Sequence, residues 1–403
     1  MPHEPPFLSS FLEHALSMKL LRFLLSHLQS SLCWLLRECQ MYPRACLSLM
    51  TVAFFLPFAG KAFHIDDPLF IWTAKHVARV PLDFYGFEIN WYGFETLIST
   101  VAKNPPLFSY YLAGWAALWG WGEIAMHLAC LVPSLAVVLG TFELSRLWGG
   151  RPFGSAMWVL CTPVFLLSGT TVMCDMLMVA FGVWGVYLWV RGCRTMSTSF
   201  LVSGALCVLG AALTKYFGLS FLPLMVVYAL LTGVPFRFWR VGVLIVVLGL
   251  LSYQYWTWRL YGVGLLSDAA SYAGNVKENR LGDIFVGLAF SGPASVAITW
   301  VACLCSRRFY YAIATLGVVV FVALWLFRYS AQQYCWAFVG GGALFFSVWL
   351  VYREYRRAES AILCLWISGT LVFTIFLNWT ISARNLLPLV PGVAILAGLL
   401  AKN

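Results

Sequence analysis

The chain has 403 residues, 61% of them hydrophobic and only 10% charged, with 26 Lys and Arg against 16 Asp and Glu for a formal charge of +10. A soluble domain is nearer half apolar and a quarter charged, so this composition excludes an ordinary water-soluble enzyme and defines a polytopic membrane protein. The positive excess does not argue for nucleic acid, because Lys and Arg gather in the cytoplasmic loops of membrane proteins and fix their topology.

Residues 1–44 carry His14, Lys19, Arg22, His27, Arg37 and Glu38 among leucines. They read as an amphipathic segment on the cytoplasmic membrane face; no small-residue cleavage site follows that would make them a signal peptide. A spanning helix needs about 20 mostly apolar residues. Stretches that reach or approach this lie near 45–63, 105–121, 124–146, 153–171, 175–190, 200–214, 216–232 and 238–257. Others follow near 284–305, 309–327, 334–352, 361–378 and 385–401.

Parity decides among these. If every stretch spans from a cytoplasmic N-terminus, Arg146, Arg151, Arg191, Arg194, Arg237, Arg240, Arg307, Arg308 and the cluster 353–357 fall outside, inverting the positive-inside rule. Making one early stretch interfacial restores them all to the cytoplasm. The stretch 105–121, "PPLFSYYLAGWAALWGW", is short, opens with two prolines and is rich in the Trp and Tyr of an interface belt. The expected architecture is therefore all-α, with about 12 transmembrane helices within 45–401 and both termini cytoplasmic. Juxtamembrane helices are expected in the first outer-face loop, 64–123; a second outer-face loop covers 258–283. No separate soluble C-terminal domain is expected. Ten of the 16 acids then share the outer face: Asp66, Asp67, Asp83, Glu88, Glu95, Glu123, Asp175, Asp268, Glu278 and Asp283.

Several of these residues invite chemistry. In "FHIDDPLFIWTAKHV", Asp66 and Asp67 stand at the rim of an apolar run. One reading makes them a helix cap and a first-turn acid; the other makes them partly desolvated carboxylates suited to general-base work. Asp175 lies between two apolar runs, where a carboxylate is costly, and is either a helix-start acid or a site residue. Lys215 and Arg384 are outer-face cations, each either an interfacial anchor or a phosphate ligand. Together they suggest a lipid-linked phosphate as substrate. The 12 cysteines are scattered, and the close pair Cys303 and Cys305 lacks the second half of a zinc motif, so free thiols are expected. "GGG" at 340–342 either breaks a helix or permits close packing.

With these residues in view, the chain resembles the GT-C class of membrane glycosyltransferases. The similarity is to the family-39-like group that includes protein O-mannosyltransferases and lipid A aminoarabinose transferases. "DDPLFIWTAKHVARVPLDFYG" has the layout of the family's acidic pair and aromatic helix, with Asp67 where Glu is commoner. "AKNPPLFSYYLAGW" is similar to its Pro-Pro-Leu segment, and the stretch from "LACLVPSLAVVLG" to "MCDMLMVAFGVWGVYLW" to its centre. "LTKYFGLSFLPL" resembles its lysine segment, with Tyr216 for Gly, and "ARNLLPLVPGVAIL" its last helix, with Asn385 for Tyr.

The resemblance covers about residues 45–400 and implies an inverting glycosyltransferase of the EC 2.4 class. Its donor would be a polyprenyl-phosphate sugar, used at the periplasmic face of a cell inner membrane. Asp66 matches the catalytic general base, with Asp67 assisting it or binding acceptor. Asp175, Lys103, Asn104, Lys215 and Arg384 match substrate-binding positions; Lys103 would act if Asn104, standing where relatives carry a basic residue, does not. No metal is expected to be required, although some relatives use a divalent cation. The acceptor hydroxyl or amine would belong to a lipid-linked or small molecule, or to a protein. Membrane lipids are expected partners and nucleic acid is not. The alternative is a lipid or solute transporter of the cell envelope, against which stands the lack of a convincing internal repeat.

Overall fold

The computed structural model describes residues 40–277, 281–305, 335–342, 349 and 357–401. The chain divides into an N-terminal unit ending at Met50 and a second unit, Thr51–Asn403, which holds the site discussed below. The expected amphipathic segment before residue 40, the expected span at 309–327, most of that at 334–352, and Glu278, Arg307 and Arg308 lie outside the described residues.

The described chain is helical apart from one small hairpin, as backbone in lipid must be if its polar groups are to bond internally. Helix α1 is Pro43–Phe55, followed by a 3-10 turn at Leu56–Phe58. The first loop then holds α2 (Asp67–Val77), the hairpin β1 (Glu88–Asn90) and β2 (Glu95–Leu97), a single turn α3 (Ile98–Val101), and α4 (Leu107–Trp119). The strands are antiparallel, with Glu88 opposite Leu97 and Asn90 opposite Glu95. Next come α5 (Glu123–Leu147), α6 (Pro152–Cys161), α7 (Pro163–Gly169), α8 (Asp175–Thr195), α9 (Thr198–Thr214), α10 (Phe221–Leu231) and α11 (Phe236–Tyr261). The rest comprises α12 (Leu265–Val276), α13 (Leu281–Cys305), α14 (Ala358–Val372) and α15 (Leu389–Leu400).

Four described helices are long and apolar enough to cross a membrane: α5, α8, α11 and α14 with its π-helical extension to Leu377. The pair α6 and α7, bent by 66°, would make a fifth. Several expected spans are shorter than hydropathy suggests because they uncoil. Thr162 is extended between α6 and α7, whose Pro163 disfavours a helical residue before it. Lys215 is extended at the end of α9 (φ −151°, ψ 133°), and α15 is preceded by a 3-10 turn at Ala383–Leu386. Helix α4 has 13 residues, a length of about 20 Å, short of a hydrocarbon core of about 30 Å.

Close helix contact comes from small residues, as is usual where lipid offers no hydrophobic drive. A Cβ on Gly204 would lie 2.9 Å from the Gly185 carbonyl, so α8 and α9 meet nearly backbone to backbone. The "GGG" stretch lies in the helical residues 335–342, and Gly340 packs so close to α13 that a side chain there would clash with the Leu288 carbonyl, whereas Gly341 faces open space. Helix α11 instead exposes Leu244, Val247, Leu248 and Leu251. Such a stripe would be costly against water and is at home against lipid. The cysteines whose side chains are described are free thiols.

Charges collect at two ends of the bundle. Helix α8 has Asp175 at its start and Arg194 in its last turn, about 30 Å away. Around Arg194 lie Glu359, at 2.8 Å, and the Leu147 carbonyl, at 2.7 Å. Around Asp175 lie Lys215, Arg384 and the first loop. These two sets of charges lie at opposite ends of α8.

Candidate active site

The site starts where α2 starts. Pro68 in the first turn suits a helix N-terminus because its missing N–H would be unpaired there anyway. Asp66 takes the N-cap position but makes no cap bond; its side chain is 39% exposed. Asp67, one residue on, is fully buried. Its Oδ2 accepts from the His64 N–H at 2.7 Å and its Oδ1 from the Val172 N–H at 3.0 Å. Burial pushes the Asp67 carboxyl above its ordinary value, opposed by these two backbone donors. The adjacent aspartates therefore differ: Asp67 fastens the first loop to the turn before α8, and Asp66 stays partly exposed.

Asp66 lines a cavity of about 230 Å3 together with Lys103, Asn104 and Arg384. Arg384 sits in the 3-10 turn before α15. Its Nη1 lies 3.5 Å from Asp66 Oδ2 and its Nε 3.7 Å from Asp175 Oδ2, and Nη1 also touches the sulfur of Met173. Asp175 is the first residue of α8, where the helix dipole favours an anion. Its side chain is 2% exposed, and Oδ1 accepts from Lys215 Nζ at 2.6 Å. Lys215 also donates to Asn385 Oδ1 at 3.1 Å, and Asn385 Nδ2 donates to the Thr380 carbonyl at 3.0 Å. The extended backbone that ends α9 is what aims Lys215 at this pair.

On another wall, Lys103 Nζ donates to Asp268 Oδ2 of α12 at 2.7 Å and stands 5.3 Å from the centre of the Tyr272 ring. The Asn104 carbonyl accepts from the Tyr85 hydroxyl at 2.5 Å. Burial holds that phenol well above its ordinary pKa, so it remains a donor. The expected site residues thus divide. Asp66, Lys103, Asn104 and Arg384 face the cavity; Asp67, Asp175 and Lys215 do not line it, and hold the cavity residues from behind.

Sequence reasoning missed the aromatic lining: Tyr85, Trp91, Tyr92, Tyr272 and Trp379. Trp379 and Tyr272 pack edge to face with centroids 5.8 Å apart, closing one side. The nearness of Trp379 to Arg384 in "NWTISARN" was the available signal. Asn385, read as a departure from a family Tyr, turns out to hold Lys215. Among the described residues, no three His, Cys, Asp or Glu side chains converge as a metal site.

A half-exposed carboxylate 3.5 Å from a guanidinium, with a lysine on the facing wall, suits a reaction that forms a phosphate anion beside an attacked hydroxyl. The comparisons with known proteins bear on that chemistry. The family model described as dolichyl-phosphate-mannose-protein mannosyltransferase matches residues 103–258, rather less than half of the chain. No curated protein matches the chain in sequence. Among solved structures, ArnT from Cupriavidus metallidurans bound to undecaprenyl phosphate is similar with a TM-score of 0.54 at 16% identity, over 90% of this chain and 60% of that one. AglB, an oligosaccharyltransferase from Archaeoglobus fulgidus in complex with an inhibitory peptide and a dolichol-phosphate, is similar with a TM-score of 0.52 at 10% identity, over 90% of this chain and 50% of that one. The apo form of the Archaeoglobus fulgidus oligosaccharyltransferase gives 0.51 at 10%, over 88% and 49%. The chain thus spans about half to three-fifths of the length of these relatives. Its fold is that of the GT-C class of membrane glycosyltransferases, and it is a multi-pass membrane protein.

Proposed function

We propose that the protein transfers a sugar from a polyprenyl-phosphate donor to an acceptor hydroxyl or amine, with inversion, at the periplasmic face of the inner membrane. The observation that carries this reading is the contact between Asp66 and Arg384 at the cavity wall, 3.5 Å apart and both partly exposed. Asp66 takes the acceptor proton; the acceptor atom attacks the anomeric carbon from the face opposite the phosphate. The bond from that carbon to the phosphate oxygen breaks, and the phosphate leaves with the electron pair. Arg384 and Lys103 stabilise the charge that grows on the leaving oxygen, where preorganised cations act most strongly. The solved relatives named with undecaprenyl phosphate and dolichol-phosphate support a donor of that kind.

Asp175 and Lys215 act in this scheme as positioning residues. Their buried pair fixes the turn that carries Arg384, through Asn385 on one side and the Arg384 Nε contact on the other. Because phosphate departure is assisted by side-chain cations, the reaction is proposed to need no metal. Purified protein incubated with a panel of polyprenyl-phosphate sugars should be thermally stabilised by at least one, and should release free polyprenyl phosphate when acceptor is added. If no member of the panel binds, with or without Mg2+, the reading fails.

A further inference from the structure

Helix α2 has two working faces. Leu69, Phe70 and Thr73 line the Asp66 cavity, while Trp72, Lys75, His76 and Arg79 line a second, larger one of about 600 Å3. Positions 72, 75, 76 and 79 follow the i, i+3, i+4, i+7 spacing of a single helical stripe, continued by Arg79 just past the helix end. The opposite wall is the strand side, with Phe87 and Glu88.

Three features of this second cavity point to a ligand. The first is charge. Lys75 and Arg79 make no ion pair with a carboxylate among the described residues, whereas Lys103 and Lys215 are both paired; the partner of Lys75 is the Trp121 ring, whose centre lies 5.7 Å from Nζ. Glu88 is the acid on the facing wall, leaving two permanent cations against one carboxylate. The second is aromatic surface. The His76 ring stacks on Phe87 with centroids 4.6 Å apart and is tethered by the Nε2 contact to the Asp83 carbonyl at 2.7 Å. Trp72 is 39% exposed, a large ring left open at the cavity wall. The third is continuity with the transfer centre. Trp72 packs edge to face on Trp91 at 6.4 Å, and Trp91 itself lines the Asp66 cavity, so this aromatic pair has one ring on each space.

We propose that this second cavity binds the acceptor, and that the acceptor is an extended saccharide bearing a phosphate or carboxylate group. Lys75 and Arg79 hold the anion. The open Trp72 ring takes the C–H face of a sugar, and the chain of rings passes the Trp72–Trp91 pair to bring its nucleophilic end to Asp66. From Asp66 to Lys75 the helix rises about 14 Å. A ligand that reaches both must therefore be longer than a monosaccharide, and its anionic group must lie away from the reacting atom. The assignment to the acceptor rests on the reading of the Asp66 cavity as the transfer centre; the anion preference does not.

The test is a calorimetric titration of the purified full chain in neutral detergent. The probes are trigalacturonic acid, neutral galactotriose and inorganic phosphate. Trigalacturonic acid should bind at least tenfold more tightly than galactotriose. K75Q/R79Q should abolish that preference, and W72A should weaken both saccharides severalfold. All three proteins should keep the same affinity for undecaprenyl phosphate, which shows that the Asp66 cavity is intact. Equal binding of the two saccharides, or an unchanged preference in K75Q/R79Q, would overturn the proposal. So would inorganic phosphate binding as tightly as trigalacturonic acid, which marks a simple ion site. The titration is repeated in phosphatidylcholine nanodiscs with and without phosphatidylglycerol; loss of trigalacturonic acid binding in the anionic discs would assign Lys75 and Arg79 to a lipid headgroup instead. Because these readouts need no turnover, a chain that binds trigalacturonic acid as described but transfers no sugar would sink the proposed function and leave the site standing.

Discussion

Replacing Lys215 by Met takes away the ammonium that donates to Asp175 Oδ1 at 2.6 Å. Asp175 is 1% exposed, and its Oδ2 has no hydrogen-bond partner, only the Arg384 Nε at 3.7 Å. Lys215→Met therefore strands a buried carboxylate, and breaking a buried pair from one side costs about 3–5 kcal/mol. Removing both charges is far milder, because an ion pair in a packed interior roughly balances its desolvation against its attraction. Asp175→Asn/Lys215→Met should thus recover most of the lost stability. The assay is thermal unfolding in detergent of the wild type, both single variants and the double variant, completing a double-mutant cycle. The double variant should melt close to wild type, yet transfer sugar poorly, because the turn carrying Arg384 has lost its anchor. A Lys215→Met protein as stable as wild type, or a double variant no better than Lys215→Met, would refute the claim that this pair is a buried structural unit.

Other outcomes follow from the same geometry. Arg384→Gln should weaken binding of a polyprenyl-phosphate sugar about 10- to 100-fold, the loss of one charge-assisted bond to phosphate, measured by titration. Lys103→Gln breaks the 2.7 Å pair with Asp268 and should lower donor affinity while making α12 more accessible to protease. Asp67→Asn replaces an acceptor of the His64 N–H with a donor and should lower stability by about 1–3 kcal/mol without removing a group from the cavity. The pH dependence has a definite sign. Burial raises the folded pKa of Asp67, so its contribution to stability is present below the unfolded value of about 3.9 and is lost as pH rises through the folded one. Melting temperatures across that window should fall less steeply for Asp67→Asn than for wild type.

The charged part of the site was legible because charge is rare in this chain. Asp66, Lys103, Asp175, Lys215 and Arg384 each interrupt apolar sequence, and a carboxylate or cation there calls for a reason. Parity then put them on one face, and the fold brings Asp66, Asp175, Lys215 and Arg384 together. What the sequence could not tell was which of two neighbouring aspartates is buried and which stays partly exposed. That depends on the Val172 N–H, more than a hundred residues away in the chain, reaching Asp67 and leaving Asp66 open. Nor did hydropathy mark where spans uncoil. A window averages over Lys215 and Arg384, although both lie at breaks that the site requires. The aromatic lining was hidden for a different reason. With aromatics at 17% of residues, Tyr272 or Trp379 carries no signal until tertiary structure sets it against Lys103 or Arg384.

The central claim is that Asp66 takes the acceptor proton while the cations beside it hold the departing phosphate. Its most direct test is the turnover rate of purified Asp66→Asn with a polyprenyl-phosphate sugar that the wild type uses. The account predicts a rate lowered by about 10²- to 10⁴-fold, the usual worth of a general base. Donor binding should be retained, and stability should change by no more than about 1 kcal/mol, since the pair with Arg384 is partly exposed. Turnover at the wild-type rate would contradict it.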